Sequence, residues 1–102
     1  MAKALVIYNP PADPQAFDDY YAKTHTPIAK KIPGLRSLEI SRGGIANPTG
    51  PAPFHQIAIL TFDDMAALQA GIGSAEGQAA VADMANFASG GASVLMFEHS
   101  AV

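Results

Sequence analysis

Four apolar segments separated by two helical patterns constrain the fold more than any other feature of this sequence. The segments span residues 4–8, 35–42, 54–62 and 92–98. Their β-branched and aromatic residues are typical of strands. One helical pattern lies between the first two segments, and the other lies between the last two. The order β-α-β-β-α-β predicts an α+β fold of ferredoxin-like type, with a four-stranded antiparallel sheet and two helical regions on one face.

The first helical pattern begins at Asp13 and Pro14. This order is typical of a helix start, because Asp caps free amide groups and Pro fits the first helical position. One face of the helix follows the spacing i, i+3, i+4, i+7 and i+11, and consists of Phe17, Tyr20, Tyr21, Thr24 and Ile28. Pro27 should interrupt this helix, and Thr26 is expected to cap a second short turn that extends through Lys31.

The second helical pattern consists of two pieces. Asp63 and Asp64 open a short helix, which Gly71 and Gly73 are expected to break, and Ser74 caps the next piece. The predicted buried face of that piece repeats at i, i+3, i+4 and i+7, and consists of Val81, Met84, Ala85 and Ala88.

The connection between the second and third strands is predicted to be a loop. Residues 43–53 contain three Gly and three Pro. Within this segment, Asn47-Pro48-Thr49-Gly50 is typical of a turn. A loop of this length is often a lid or disordered in a compact domain.

Apolar residues occupy both faces of the predicted strands. Large apolar residues are adjacent in three of them, at Val6–Ile7, Ile59–Leu60 and Leu95–Met96. Leaving about six such side chains in water would forfeit roughly 9–18 kcal/mol, which is comparable with the net stability of a domain, about 5–15 kcal/mol. A two-fold homodimer that pairs through the open face of the sheet would cover them. The alternative is an exposed patch on a monomer.

The composition excludes several classes of function. The chain has 102 residues, of which 49% are hydrophobic and 15% charged, so a single globular domain spanning residues 1–102 is expected. The net charge of −3 argues against nucleic acid or an acidic membrane as partner. Without Cys, and with three His in no metal-binding spacing, no metal and no cofactor are expected. The apolar N-terminal run is too short for a signal or a membrane span, so a cytoplasmic location is expected.

His25 is the best candidate for a reactive group. On a regular helix it lies about 80° from Phe17, at the edge of the buried face, and Pro27 ends the helix just beyond it. A half-buried imidazole is suited to proton transfer. The alternative is a His that only hydrogen-bonds the end of the helix. His55 begins the third strand, and it either faces the same cavity or is solvated.

Three aromatic residues and one amide have both a structural and a functional interpretation. A phenol at Tyr20 or Tyr21 could hydrogen-bond a bound carbonyl, although buried Tyr is more often packing with a satisfied hydroxyl. Asn86 either caps the second helical region or contacts a ligand. Phe87 is predicted to be in the core.

The order and spacing of several short motifs resemble the EthD family. They are Phe17-x-x-Tyr20-Tyr21-x-x-x-His25-x-Pro27, Pro33-Gly34-Leu35, Pro53-Phe54-His55, Phe62-Asp63-Asp64 and Ser74-x-Glu76-Gly77 with Asn86-Phe87. The resemblance covers nearly the whole chain. It implies the dimeric α+β barrel superfamily, in which two sheets pack face to face and each subunit keeps a small cleft between sheet and helices.

Barrels similar to the EthD family include muconolactone and methylmuconolactone isomerases, polyketide cyclases, cofactor-free monooxygenases and haem-degrading enzymes. In the methylmuconolactone isomerase type, a His at the position matching His25 lines the pocket. That type also relies on a Cys, which this chain lacks. The specific isomerase chemistry of that type therefore cannot simply be assigned to this chain.

Two functions follow from the resemblance. The first is a cofactor-free isomerase, cyclase or monooxygenase that acts on a small lactone, phenol or polyketide-like compound, with His25 as acid and base. The ligand pocket would then be lined by Phe17, Tyr21, His55, Phe87 and Met96. The second is a non-catalytic accessory protein that binds or carries a hydrophobic metabolite in a catabolic pathway. A haem-binding variant, with His25 as axial ligand, is a more distant third.

Overall fold

The computed structural model describes residues 1–102. The strands are β1 (Ala2–Tyr8), β2 (Ser37–Ile40), β3 (Ala46–Asn47), β4 (Gly50–Pro51), β5 (Gln56–Phe62) and β6 (Ala92–Glu98). The helices are α1 (Pro14–Tyr20), α2 (Thr26–Ala29), α3 (Met65–Gly73) and α4 (Ala75–Asp83). A π turn at Tyr21–His25 joins α1 to α2, and a 3-10 turn at Met84–Asn86 follows α4.

The main sheet confirms the predicted α+β fold. Its strand order is β2-β5-β1-β6, and all neighbours are antiparallel. Burial alternates along β1, where Ala2, Ala4, Val6 and Tyr8 lie beneath the helices and the residues between them do not. Directly opposed residues of antiparallel strands point to the same face, so this alternation also fixes the faces of β5 and β6. Both helical regions therefore cover one face, in the ferredoxin-like arrangement.

Three predicted strand boundaries differ from the structure. The first strand begins at Ala2, two residues earlier than predicted. The second strand spans only Ser37–Ile40, which is shorter than the predicted segment 35–42. The third predicted strand begins at Gln56 rather than residue 54. Strand β2 lies at one edge of the sheet and pairs only with β5. The fourth strand, Ala92–Glu98, has the predicted bounds.

The first helical region contains a π turn that the sequence pattern did not predict. Asp13 caps α1 as expected, because its Oδ1 accepts from the Ala16 amide at 3.1 Å. The prediction that Thr26 caps a second turn is wrong. Its amide bonds to the Tyr21 carbonyl, and its hydroxyl donates to the same oxygen at 2.9 Å. Pro27 has no amide hydrogen to offer the helix, which favours this local rearrangement.

The π turn explains why His25 is buried rather than at the edge of the helix face. One extra residue in a helix rotates everything beyond it by about 100°. The predicted angle of about 80° between Phe17 and His25 therefore becomes roughly −20°. His25 then lies on nearly the same line as Phe17, and only 5% of it is exposed.

The second helical region differs from prediction in two places. Helix α3 continues through Gly71, whose lack of a side chain permits close approach, since a Cβ there would lie 2.6 Å from the Pro33 carbonyl oxygen. Ser74 caps α4 as predicted, accepting from the Gly77 amide at 3.0 Å. The predicted buried face of the second piece is confirmed only in part. Met84 and Ala88 pack against the core, but Val81 is 52% exposed and Ala85 is exposed. The most buried positions are Gly77, Ala80, Asp83 and Phe87.

The loop at residues 43–53 contains a small hairpin formed by β3 and β4. The predicted turn is present between them, and Asn47 Oδ1 accepts from the Thr49 amide at 3.0 Å. The ends of this loop lie next to β2 and β5, close to the helical face of the sheet.

The face of the sheet opposite the helices has no cover within one chain. The register places six large apolar side chains on it: Leu5, Ile7, Ile57, Ile59, Leu95 and Phe97. Leu95 is 53% exposed and Phe97 is 39% exposed. This is the patch that the sequence predicted, and its size is unusual for the surface of a monomer. No helix has the length and apolar character needed to cross a membrane.

Candidate active site between the sheet and the helices

His25 and Asp83 form a buried pair between the two helical regions. The Nδ1 atom of His25 lies 3.0 Å from Oδ2 of Asp83. The π turn supplies His25 and the last residue of α4 supplies Asp83. The side chains of both are less than a tenth exposed. This contact joins positions 58 residues apart in the chain.

Asp83 is the centre of a wider hydrogen-bond network. Its Oδ1 accepts from the Tyr20 hydroxyl at 2.6 Å and from Asn86 Nδ2 at 3.0 Å. Desolvation alone would raise the pKa of Asp83, but hydrogen bonds from Tyr20, Asn86 and His25 outweigh it and hold the pKa below its ordinary value. The carboxylate is therefore ionised at neutral pH.

The ionised carboxylate fixes the tautomer of the imidazole. A carboxylate only accepts hydrogen bonds, so Nδ1 of His25 carries the hydrogen and donates it to Asp83. In the neutral ring the lone pair then resides on Nε2. Nε2 makes no hydrogen bond within the protein, and His25 lines a cavity. This arrangement holds a basic nitrogen in position for proton transfer.

The cavity beside His25 has a volume of about 60 Å³ and is nearly all apolar. Only His25, Tyr8 and Tyr21 contribute polar groups to its lining. Val81 and Val94 also line it, and each is about half exposed, so the cavity reaches the surface between α4 and β6. A space of this size holds about two water molecules. Only part of an organic ligand would therefore enter it.

The two phenols in the cavity remain neutral over the physiological range. Burial, with smaller contributions from Tyr21 and Asp83, raises the pKa of Tyr8 far above its ordinary value. Burial also raises the pKa of Tyr21 to about 12. A neutral phenol donates a hydrogen bond, so both hydroxyls are suited to stabilise an oxygen that gains negative charge.

The predicted pocket residues are divided among several places. His25 and Tyr21 line the cavity together. Phe17 and Phe87 pack behind it, with ring centroids 5.1 Å apart, and Phe87 contacts the imidazole of His25 at 4.7 Å. Phe87 therefore packs directly on the imidazole of His25, and Phe17 supports Phe87. Met96 does not line the cavity; it is 48% exposed on the edge strand β6.

His55 does not share a cavity with His25. It lies in a separate open cleft, where its Nε2 is 2.7 Å from Oδ1 of Asp18. Its ring meets the edge of Phe17 at a centroid distance of 4.7 Å. Tyr21 lines both the cleft and the cavity and stands between them.

Sequence reasoning missed Asp83 and Tyr8. Asp83 lies three residues after Ala80 and four residues before Phe87, so all three lie on one face of the helix. A carboxylate interrupts the apolar pattern of that face, and the sequence pattern therefore did not indicate that Asp83 is buried. Tyr8 ends an apolar strand, and alternation along β1 places it on the same face as Ala4 and Val6. No three His, Cys, Asp or Glu side chains are arranged to hold a metal ion.

Solved structures with low sequence identity define the class of fold. A dimeric protein of unknown function and ferredoxin-like fold from Bacteroides fragilis is 16% identical, with a TM-score of 0.65, and the match covers 96% of this chain and 95% of that one. SnoaB, a cofactor-independent oxygenase from Streptomyces nogalater, is 12% identical with a TM-score of 0.67, and the match covers 99% and 94% of the two chains. These likenesses show the fold alone.

The chain belongs to the EthD family. A model of the EthD domain matches residues 9–91. A protein of 11.0 kDa from the thcB-thcC intergenic region of Rhodococcus erythropolis is 35% identical over 102 residues, which is 100% of this chain and 98% of the relative. The crystal structure of an EthD family protein from Bacillus halodurans C-125 is 34% identical with a TM-score of 0.88, covering 98% of this chain and 99% of that one. The predicted family resemblance is confirmed.

Acid is expected to remove the contribution of Asp83 to stability. Because the folded-state pKa lies below the ordinary value of 3.8, this contribution is complete at neutral pH. It is lost as the pH falls below about 4 towards the folded-state pKa. Urea unfolding across the acid range measures the effect. The Asp83→Asn variant should show a flatter acid dependence than wild type, and Asp19→Asn, an exposed change on α1, should not. Equal acid slopes in wild type and Asp83→Asn would contradict the argument.

Proposed function

We propose that the protein is a small-molecule enzyme that moves a proton without a cofactor, with His25 as the general base. The buried His25–Asp83 pair beside an apolar cavity is the observation that carries this proposal. An isomerase, a cyclase and a cofactor-free monooxygenase all begin by removing a proton from a carbon or a hydroxyl. Small lactones, phenols and polyketide-like compounds offer such acidic protons. The fold that this chain shares with SnoaB, a cofactor-independent oxygenase, supports the same class of chemistry.

The proton-transfer step follows from the tautomer of His25. Nε2 takes a proton from the substrate, and the electron pair of the broken bond moves onto the substrate oxygen. The imidazolium that forms keeps its Nδ1 hydrogen bond to Asp83, whose negative charge stabilises it. The hydroxyls of Tyr8 and Tyr21 are the available donors for the resulting oxyanion. Returning the proton to a different carbon completes an isomerisation, whereas oxygenation requires molecular oxygen as co-reactant.

The size of the cavity limits how the substrate binds. A volume of about 60 Å³ is well below the roughly 300–1,000 Å³ of ordinary ligand pockets. The reacting edge of the substrate would therefore enter next to His25, and the remaining apolar body would lie over Val81 and Val94. These two side chains are otherwise about half exposed.

Substitution of His25 by Ala is expected to abolish proton exchange. Candidate lactones, hydroquinones and anthrones are incubated with the protein in D₂O, and mass spectrometry follows deuterium uptake at carbon. Loss of a general base reduces such rates by about 10²–10⁴-fold. His99→Ala, an exposed change near the C terminus, is the matched control and should retain the wild-type rate. An unchanged rate in folded His25→Ala protein, or no exchange with any compound class, would exclude the proposed enzyme.

A second copy is proposed to cover the open face of the sheet. The six apolar side chains on that face supply the driving force, and the ferredoxin-like neighbour from Bacteroides fragilis is a dimer. Pairing of the two sheets would complete a dimeric α+β barrel and leave the cavities on the helical side of each sheet.

A non-catalytic accessory protein is the second candidate function. The apolar lining of the cavity and the half-exposed Val81 and Val94 favour it, because they offer an apolar binding surface whether or not a proton is transferred. Such a protein would bind a hydrophobic metabolite equally well with and without the imidazole of His25. Ligand affinity that is unchanged by His25→Ala, together with no deuterium exchange, would favour this function over the enzyme.

A further inference from the structure

A second recess lies on the other side of Tyr21 from the cavity of His25. It is an open cleft of about 670 Å³ between the first helical region and the end of β2, with residues 41–44 and 54–56 forming the remaining walls. This volume is within the range of ordinary small-molecule sites. The proposed proton transfer at His25 makes no use of this cleft.

Two polar side chains that line the cleft, Gln56 and Arg42, have no partner within the protein. Gln56 is 6% exposed, and its Nε2 atom is buried without a hydrogen-bond partner. The amide also lies near the Tyr21 hydroxyl and offsets part of the rise in the pKa of Tyr21 that burial causes, but the two groups make no hydrogen bond. Buried donors are nearly always paired in folded proteins. Arg42, which also lines the cleft, makes no ion pair with a carboxylate.

The one carboxylate of the cleft is already paired. Asp18 is the only acidic residue in the lining, and its Oδ1 accepts from Nε2 of His55 at 2.7 Å. The donor that remains free and open to solvent is the Arg42 guanidinium, whereas the Gln56 Nε2 atom is unpaired but shielded from solvent. A free guanidinium favours a ligand that brings acceptor oxygens with negative charge.

The apolar part of the cleft suits a flat hydrocarbon group. Ile40 is 50% exposed and Phe54 is 39% exposed, and both line the cleft together with Tyr21. Exposed apolar side chains next to unpaired donors are typical of ligand sites, where the apolar surface binds the body of the ligand and a few polar groups orient it.

We infer that this cleft binds a small organic acid, with Arg42 donating hydrogen bonds to its carboxylate and with Ile40 and Phe54 contacting its apolar body. The inference goes beyond the proposed proton transfer, because the cleft and the cavity are separate and binding here needs no reaction at His25. Tyr21 is the common wall, so the acid would lie within one side chain of the other site.

Benzoate is the probe that tests this inference, with benzyl alcohol as its uncharged analogue. In an NMR titration of uniformly ¹⁵N-labelled protein, benzoate should shift the side-chain amide signal of Gln56 saturably. Benzyl alcohol should shift it far less. Because the readout is the native Gln56 signal, the experiment needs no substitution in the core. Failure of benzoate to bind at up to about 10 mM, beyond which even a weak site would be filled, overturns the inference.

Substitution of Arg42 by Gln separates specific binding from general attraction by positive charge. The variant should weaken benzoate binding by about tenfold or more, the usual effect of one charge-assisted hydrogen bond. Lys31→Gln removes the same charge from an exposed position outside the cleft and should change affinity less than about twofold. Equal effects of the two variants, or equal binding of benzyl alcohol, overturn the inference. Repeating the titration with His25→Ala keeps its outcome distinct from failure of the proposed enzyme, since benzoate binding should persist there.

Discussion

Replacement of Asp83 by Asn is expected to lower the free energy of unfolding by about 1–3 kcal/mol, because it leaves at least one buried hydrogen-bond donor without an acceptor. The carboxylate accepts three hydrogen bonds, from His25, Tyr20 and Asn86. An amide has the same shape but only one oxygen, so at least one donor must face an NH₂ group. Urea denaturation at neutral pH measures the loss. The exposed Asp19→Asn substitution is the matched control and should stay within about 0.5 kcal/mol of wild type.

The same substitution is expected to remove the basic nitrogen from the cavity. If the Asn amide nitrogen faces His25, the imidazole must accept through Nδ1, and its hydrogen moves to Nε2. The lone pair then no longer faces the cavity, so proton exchange should fall even where the protein stays folded. ¹⁵N NMR of the imidazole distinguishes the two tautomers directly. An Asp83→Asn variant with wild-type stability and an unchanged tautomer would show that the pair does not hold His25 in place.

Structural features that depend only on residues close together in the chain could be predicted from the sequence. The strand order follows from the apolar runs, and the helix starts follow from Asp13, Asp64 and Ser74, whose side chains cap them as expected. These features need only local chemistry, since a cap bonds an amide three residues away. The apolar open face of the sheet could also be predicted locally. Adjacent residues of a strand point to opposite faces, so pairs of adjacent apolar residues place apolar side chains on both faces.

The arrangement around His25 could be predicted from the sequence only in part, because it depends on partners far apart in the chain. His25 was identified by its helix position, but its burial results from the π turn, a local rearrangement that Pro27 favours. A carboxylate on the inner face of α4 is unfavourable until Tyr20 and His25 reach it, and they are 63 and 58 residues away. The separation of His55 from His25 has a similar origin, because Asp18 on α1 holds His55 in the outer cleft.

Replacement of Leu5 by Glu is expected to convert the proposed dimer to a monomer. Leu5 lies at the centre of the open face, opposite Ile59 on one side and Leu95 on the other. In a two-fold dimer the substitution would bury two unpaired carboxylates among apolar side chains, which is costly for every charge removed from water. A dissociation constant at least about 10³-fold higher is expected, equivalent to about 4 kcal/mol. Analytical ultracentrifugation over a concentration series measures it.

The control for this experiment must add the same charge elsewhere. Ala79 is exposed on α4, on the helical side of the sheet, so Ala79→Glu should leave the dimer intact. The Leu5→Glu monomer should still fold, because Leu5 is only half-buried within one chain and its neighbours on the helical face, Ala4 and Val6, are unchanged. Circular dichroism and the Gln56 side-chain signal test this. A Leu5→Glu protein that remains dimeric would place the interface elsewhere, and the six apolar side chains would then need a different cover.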